Sequence, residues 1–342
     1  MNSIRPIEIL GGGLAGLSLG LALQRAGIPT TIFEAGHYPR HRVCGEFIAG
    51  LKERTIETLG LREILADARQ HYSVNWYRRD RLVRYQTLAN PAIALSRYAL
   101  DARLAETFEK AGGQLKTGSR ISDKTTPPGR IYATGRKRVS SEWLGLKLHV
   151  RGFTLASDLE FHLGNQAYVG LCGIENQEVN VCGLFHLQHG LAVTRSSALL
   201  RYMTETGLEA LAARIAAAQI DEASFSAVAG LNFERPKGVP DRIYLGDAYA
   251  MIPPFTGNGM AIAFQSAECA LSPLVAWAKQ ECEWSQVVAV VSTALRQRFS
   301  RRLTLASRLH PFLLSPGPQS LFDVANRTGL LPLRTIANAV HT

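Results

Sequence analysis

No two of the five cysteines (Cys44, Cys172, Cys182, Cys269 and Cys282) stand in a C-x-x-C spacing, and their number is odd. That argues against a disulfide frame and a Cys-ligated zinc site, and predicts reduced thiols in a cytoplasmic protein. There is no Lys/Arg run either. The net charge of +10 is spread along 342 residues, the pattern of a scattered basic surface rather than a nucleic-acid-binding tail. Long apolar stretches are lacking. Ile9 to Leu23 is uncharged, but five glycines interrupt it and it falls short of the roughly 20 residues a membrane span needs. No other such span is expected. Internal repeats, low-complexity linkers, a Ser-His-Asp set, paired carboxylates and metal-ligand spacings are also missing, and no metal is expected.

What the chain does have is glycine in two telling places. Gly11-Gly12-Gly13-Leu14-Ala15-Gly16 is a G-x-G-x-x-G match, weak until its context is read. Arg5 to Leu10 before it reads as a short strand with Ile7, Ile9 and Leu10 apolar, and the Leu/Ala-rich Leu14 to Ala26 reads as a helix with Gly27 as its C-cap. Thr30-Thr31-Ile32-Phe33 is β-branched and aromatic, and Glu34 closes it 18 residues beyond Gly16. This is a βαβ dinucleotide fingerprint. Its glycines admit a pyrophosphate to the backbone, and its acid takes ribose hydroxyls. Glu34 is expected to repel a 2′-phosphate.

The second place is Gly246-Asp247 through Gly257-Asn258-Gly259. The apolar Ile243-Tyr244-Leu245 precedes it and an Ala-rich helical stretch, Met260 to Lys279, follows. An acid at a strand end and glycines at a helix start suit an anionic cofactor.

The intervening pattern suggests an α/β fold of two interleaved units. A probable helix covers Leu51 to Leu65, and strands Ser73 to Tyr77 and Leu82 to Gln86 flank a charged turn, with Trp76 and Tyr77 as candidate pocket walls. Ser96 leads a helix to Ala111. Short segments from Leu146 to about Leu187 read as an antiparallel sheet, with His149, Tyr168 and His186 as candidate pocket residues. Arg195 to Ala218 and Ser285 to Leu309 read as helices. A Rossmann-like cofactor domain is expected at 1–72, 92–135 and 231–280, an antiparallel-sheet substrate domain at 73–91 and 136–230, and C-terminal helices at 281–342. A ligand would lie between the two domains.

Five elements together resemble a family: Gly11-x-Gly13-x-x-Gly16 with Glu34, Pro39-Arg40-x-Arg42-x-Cys44-Gly45-Glu46, Ser96-Arg97 with Asp101, Gly145-Leu146-Lys147, and Gly246-Asp247 to Gly259. The chain is similar, from Ile7 to about Ala270, to FAD-dependent oxidoreductases of the p-hydroxybenzoate hydroxylase fold, in the geranylgeranyl reductase and flavin monooxygenase or halogenase branch. The resemblance implies that Gly11, Gly13, Leu14, Ala15 and Gly16 lie under the FAD pyrophosphate, with Glu34 and Ala35 at the adenosine ribose. It implies Arg42 and Arg97 along the ribityl and phosphate part, Gly246 and Asp247 at a ribityl or ribose hydroxyl, and Pro254 on the flavin face. Gly257, Asn258, Gly259 and Met260 would meet the pyrimidine edge, where a helix N-terminus suits the charge of a reduced flavin. Three departures stand out. The Asp of the Asp-Gly motif after the middle strand is missing from Ala133-Thr134-Gly135-Arg136-Lys137, which argues against NAD(P)H as the direct reductant and leaves the electron source open between NAD(P)H and a separate reductase. Ile121 to Gly129 is a shortened excursion. The halogenase W-x-W-x-I-P signature is absent, which argues against halogenation.

The expected function is therefore that of an FAD-dependent monooxygenase of a hydrophobic or aromatic metabolite. A C=C reductase of geranylgeranyl reductase type, an NAD-dependent dehydrogenase and a non-catalytic flavin-binding protein are the alternatives. Cys44 and Glu46 are candidates for a proton-donating or substrate-facing role. Two nearby arginines could lower the Cys44 pKa, while Glu46 could instead pair with Arg40 or Arg42. Expected partners are a small hydrophobic substrate and an electron-donor protein, with peripheral membrane contact open for the basic C-terminal region.

Overall fold

The computed structural model describes residues 3–122, 125–136, 140–188, 190, 195–234 and 238–314. The chain opens as its glycine motif predicts, with β1 (Ile7–Leu10), α1 (Leu14–Arg25) and β2 (Thr30–Phe33). Leu14 through Leu23 of α1 are all buried. A helix apolar all round must be enclosed, and α1 lies in the core among the parallel strands and the helices Arg97–Lys110 and Gly259–Ala278. Burial of Leu17, Leu19, Leu21 and Leu23 stabilises the fold by about 1.5–3 kcal/mol each.

Next come β3 (Phe47–Ile48), α2 (Glu53–Leu59) and the hairpin β4 (Arg69–Arg78) with β5 (Arg81–Ala94). The expected helix to Leu65 stops at Leu59 because Gly60 turns left-handed, at φ 66°. The hairpin strands run further than their apolar pattern suggests. α3 (Arg97–Lys110) starts where Ser96 accepts a capping bond from the Ala99 N–H at 3.0 Å, and β6 (Gln114–Lys116) and β7 (Arg130–Tyr132) follow. β8 (Trp143–Arg151) comes next, and β9 (Leu159–Gly164), β10 (Ala167–Gly173) and β11 (Val179–His186) form a meander whose last strand pairs with β8. The helix expected over Arg195 to Ala218 is two, α4 (Ser197–Glu205) and α5 (Glu209–Ala216), before β12 (Gln219–Ala229). The described residues end with β13 (Ile243–Tyr244), α6 (Gly259–Ala278) and α7 (Trp284–Leu314).

Two sheets result. The first is parallel, in the order β13-β7-β1-β2-β6, with Ile9 in register with Ile32 on one side and Ile131 on the other. The second is eight-stranded, in the order β12-β8-β11-β10-β9-β4-β5-β3. It is mixed rather than purely antiparallel, because β4 joins β9 in parallel and so tethers the hairpin to the meander. β3 and the start of β4 pair within this second sheet.

Alternation gives that sheet two faces. Leu144, Leu146, Leu148 and Val150 of β8, with Val179, Val181 and Phe185 of β11, pack against α4 and α5. The residues between them face the other way. Helix α6 overturns the expectation of no further apolar span: it is long and apolar enough to cross a membrane by length and composition, with 56% of that window buried within the protein.

Candidate active site

Where β1 ends, Gly11 takes φ +107°, and a Cβ there would come within 2.2 Å of the Ala133 carbonyl oxygen. Gly16 lets α1 close on the strand, since its Cβ would lie 2.0 Å from the Gly11 oxygen. Gly13 differs from both: nothing lies within 4 Å of an added Cβ. It caps α1 without a side-chain bond, so the N–H groups of Leu14 and Ala15 end at open space. Glu34 sits beside this turn and accepts from Gly12 N and Gly36 N, both at 2.8 Å, while Arg40 pairs with it at 2.6 Å. Burial acts to raise the Glu34 pKa, but the Gly36 bond and Arg40 outweigh it and hold it below the usual carboxylate range. Arg40 sets a positive charge beside this carboxylate. Ala35 is exposed next to it. The Tyr38 hydroxyl donates to the Gly12 carbonyl.

The second motif meets the first directly. A Cβ on Gly246 would stand 3.3 Å from Cβ of Ala15, and the Gly246 N–H donates to Ser266 Oγ at 2.9 Å. Asp247 is solvent-accessible yet ringed by protein, and its carboxylate takes no hydrogen bond among the described residues. Burial raises its pKa, against the charges of Arg97, Arg136 and Arg42. Pro254 is exposed at the head of a turn that Gly257 ends, at φ +65°. At Asn258, where α6 begins, no side chain caps the helix N–H groups, and Gly259, like Gly13, has nothing within 4 Å of an added Cβ. Met260 is buried behind it. Gly257 is packed against Phe47, and its carbonyl accepts from Ala49 N at 3.2 Å.

Arg42 and Arg97 converge on one carboxylate. Arg97 donates twice to Asp101, at 2.7 and 2.8 Å, and Arg42 once at 3.0 Å, with Asp101 fully buried. Burial would lower the Arg97 pKa, but Asp101 more than compensates and raises it, keeping the cation. Both arginines are thus pinned, with one carboxylate for two charges.

Cys44 and Glu46 correct two expectations. Burial pushes the Cys44 thiol up, against the lowering pull of Arg97, so it is not an activated thiolate. Glu46 pairs with neither Arg40 nor Arg42. Held at φ 57°, it turns into the sheet and meets His149 Nε2 at 2.6 Å, Lys147 Nζ at 3.5 Å and the Arg97 N–H at 2.9 Å. Burial favours its neutral form, but the His149 bond and the Lys147 and His149 charges win and hold its pKa low. A carboxylate so held is a poor proton donor near neutral pH. Behind it His149 Nδ1 reaches Glu178 at 3.3 Å, and Lys147 meets His41 Nδ1 at 3.1 Å. Asn180 and Cys172 tie this segment down, donating to the carbonyls of Cys44 and Gly45 at 3.0 and 3.1 Å.

The same sheet face turns apolar farther along. Trp76 packs on Phe161 at 4.6 Å and Phe161 on Tyr168 at 5.0 Å, while the Tyr168 hydroxyl accepts from Phe255 N at 3.1 Å. His149 and Tyr168 therefore face the cofactor-domain side, whereas Tyr77 stacks on His162 at 4.4 Å. His186 sits at the rim, bonded to Glu142. His310 near the end of α7 joins this chamber through Trp143, Phe233 and Phe255. Its long separation from them in sequence hid that role, as it hid Lys147, His41 and Asn180. Residues 315–342 of the C-terminal region, for which membrane contact is left open, lie outside the described residues, as does Lys137. A separate cavity of about 340 Å³ opens between β13 and α7, lined by Arg242, Tyr244 and Ser292 among others, away from Gly13 and Gly259.

No protein-family model matches the chain, and no curated protein matches it significantly. Solved structures do. It is similar to PqsL, described as a probable FAD-dependent monooxygenase from Pseudomonas aeruginosa, at 17% identity and a TM-score of 0.70, covering 94% of this chain and 100% of that one. It is similar to the p-nitrophenol 4-monooxygenase PnpA from Pseudomonas putida DLL-E4, at 15% identity and a TM-score of 0.70, covering 98% and 99%. The flavin-dependent brominase Bmp2 matches at 16% identity and a TM-score of 0.74, covering 99% and 94%. The chain has the fold of these proteins.

Proposed function

We propose that the chain is an FAD-dependent oxidoreductase, a monooxygenase that hydroxylates a hydrophobic or aromatic metabolite. One observation carries the reading. Two helices packed on each other, α1 and α6, both begin uncapped, each with a glycine that leaves open space where a Cβ would stand. Unpaired helix N-termini attract anions. An extended dinucleotide fits them both.

FAD, when bound, would supply the electron transfer and oxygen activation that no side chain here provides. The N–H groups of Leu14 and Ala15 would hold its pyrophosphate, and Glu34 a ribose hydroxyl. Asp247, accessible and without a hydrogen-bond donor, would accept from a ribityl hydroxyl. The N–H groups of Gly259 and Met260 would meet the pyrimidine edge. The aromatic face of Trp76, Phe161 and Tyr168 would exclude water from the substrate, and Tyr168 would hold the Phe255 turn over it. The described natures of PqsL and PnpA support the same reading. The missing W-x-W-x-I-P signature separates the chain from halogenase chemistry.

Electrons would come from NAD(P)H or a separate reductase, and five unpaired thiols suit the cytoplasm. Purified protein should be yellow or take up added FAD. Protein that stays colourless with FAD present would overturn the proposal. Anaerobic reduction followed by oxygen separates the reactions: a slow, multiphasic return of the oxidised spectrum is expected, and an immediate single phase would point to a reductase.

A further inference from the structure

The described part of helix α7 runs into the aromatic cluster. His310 is 8% exposed, and its ring lies 4.8 Å from Phe233, 5.4 Å from Trp143 and 6.2 Å from Phe255. The three rings come from three parts of the chain: the segment after β12, strand β8, and the turn before α6. Neither phenylalanine can bond an imidazole in its plane, and the Trp143 ring meets it edge-on at an interplanar angle of 63°. Among the described residues, Nε2 of His310 is closed to solvent and has no hydrogen-bond partner.

A buried polar atom left unmet costs about 1–3 kcal/mol. Phenylalanine would fill the same space without that cost, so packing alone does not account for the imidazole. Burial also drives the His310 pKa down to about 4, leaving the ring neutral near pH 7. A neutral ring in an apolar box offers a ligand one directed hydrogen bond. Trp143, Phe233 and Phe255 are themselves only partly buried, so the cluster reaches the surface beside the imidazole.

We propose that His310 is a specificity-determining residue, whose Nε2 accepts a hydrogen bond from an N–H or O–H on an aromatic substrate seated among Trp143, Phe233 and Phe255. The proposal rests on reading this cluster as the substrate chamber of the monooxygenase. An acceptor there selects among substrates of equal shape, because a ligand lacking the donor leaves Nε2 unmet.

Indole and benzothiophene test it, since they share a shape and only indole carries N–H. Titrated by calorimetry into the full chain as purified, indole should bind about fivefold more tightly, the worth of about 1 kcal/mol of hydrogen bond. In His310→Phe that preference should vanish while benzothiophene binding persists. In His310→Gln, which restores an acceptor, part of it should return. An indole preference that survives in His310→Phe, or wild-type protein that binds neither compound or both equally, overturns the proposal. Flavin absorbance on the same samples reports on the cofactor separately, so a failed cofactor reading and a failed His310 reading are distinguishable.

Discussion

Glu46 and His149 meet at 2.6 Å with essentially no exposure of either side chain, although they lie 103 residues apart. With Lys147 alongside and Glu178 on the far ring nitrogen, they form a buried cluster between the cofactor-side segment and the second sheet. Its members are mutually dependent. Removing one strands the charge of another.

Glu46→Ala should therefore destabilise the protein by about 3–5 kcal/mol, the usual cost of breaking a buried pair. Urea unfolding at pH 7 measures it. The pH dependence has a definite sign. The folded pKa of Glu46 lies below its ordinary value of 4.5. Its contribution is then fully present above pH 4.5 and is lost as pH falls through the lower, folded value. The stability gap between wild type and variant should narrow in acid and stay constant from pH 6 to 8. A gap that widens in acid contradicts the assignment.

Gly13 and Gly16 should separate in their effects. Gly16→Ala drives a Cβ to 2.0 Å from the Gly11 oxygen and should cost about 1–3 kcal/mol in stability. Gly13→Val meets no atom within 4 Å of its Cβ, and its backbone, at φ −87° and ψ −172°, suits any residue. It should leave the melting temperature within a few degrees yet cut flavin uptake. Equal loss of stability in both variants would refute the open cradle.

Asp247→Asn removes a carboxylate that takes no hydrogen bond from the protein. FAD affinity should fall about 10–100-fold, as expected for a hydrogen bond to a charged group. Stability of the flavin-free protein should not fall, since the carboxylate carries a desolvation cost. Fluorescence titration with FAD reads the first effect, and thermal unfolding the second.

Cys44, its pKa raised by burial, should react slowly. Iodoacetamide at pH 8 should leave it unlabelled in the native protein and label it fully in urea, as peptide mapping would reveal. Rapid native labelling would restore the activated thiol that Arg42 and Arg40 seemed to promise.

Much of the first sheet was legible in the sequence because its signals are local. Gly11 to Glu34 lies within one βαβ unit, and Gly246 to Gly259 within one strand-to-helix turn. The meander strands were legible from alternation. The partners of Glu46 were not, because charged neighbours at Arg40 and Arg42 are nearer in sequence, while φ 57° turns the side chain toward β8 instead. Asp101 was visible as part of a motif, yet nothing in a linear pattern shows that Arg42, 59 residues earlier, shares it with Arg97. Helix length was overread wherever a left-handed glycine intervened, as at Gly60. His310 carried no signal at all, since a lone histidine on a helix takes its meaning from the rings around it.

The two-faced sheet bears on how such a protein can change. Along β8, Leu146 and Leu148 anchor α4 and α5, while Gly145, Lys147 and His149 between them face the cleft. Tyr168 and Leu184 share that second role, and Val169 and Val181 the first. Ligand preference and folding are thus written on alternate letters of the same strands. A library that varies only the apolar cleft-facing letters, such as Tyr168 and Leu184, should explore new substrates with the scaffold intact, whereas one shifted by a single position should yield mostly unfolded protein.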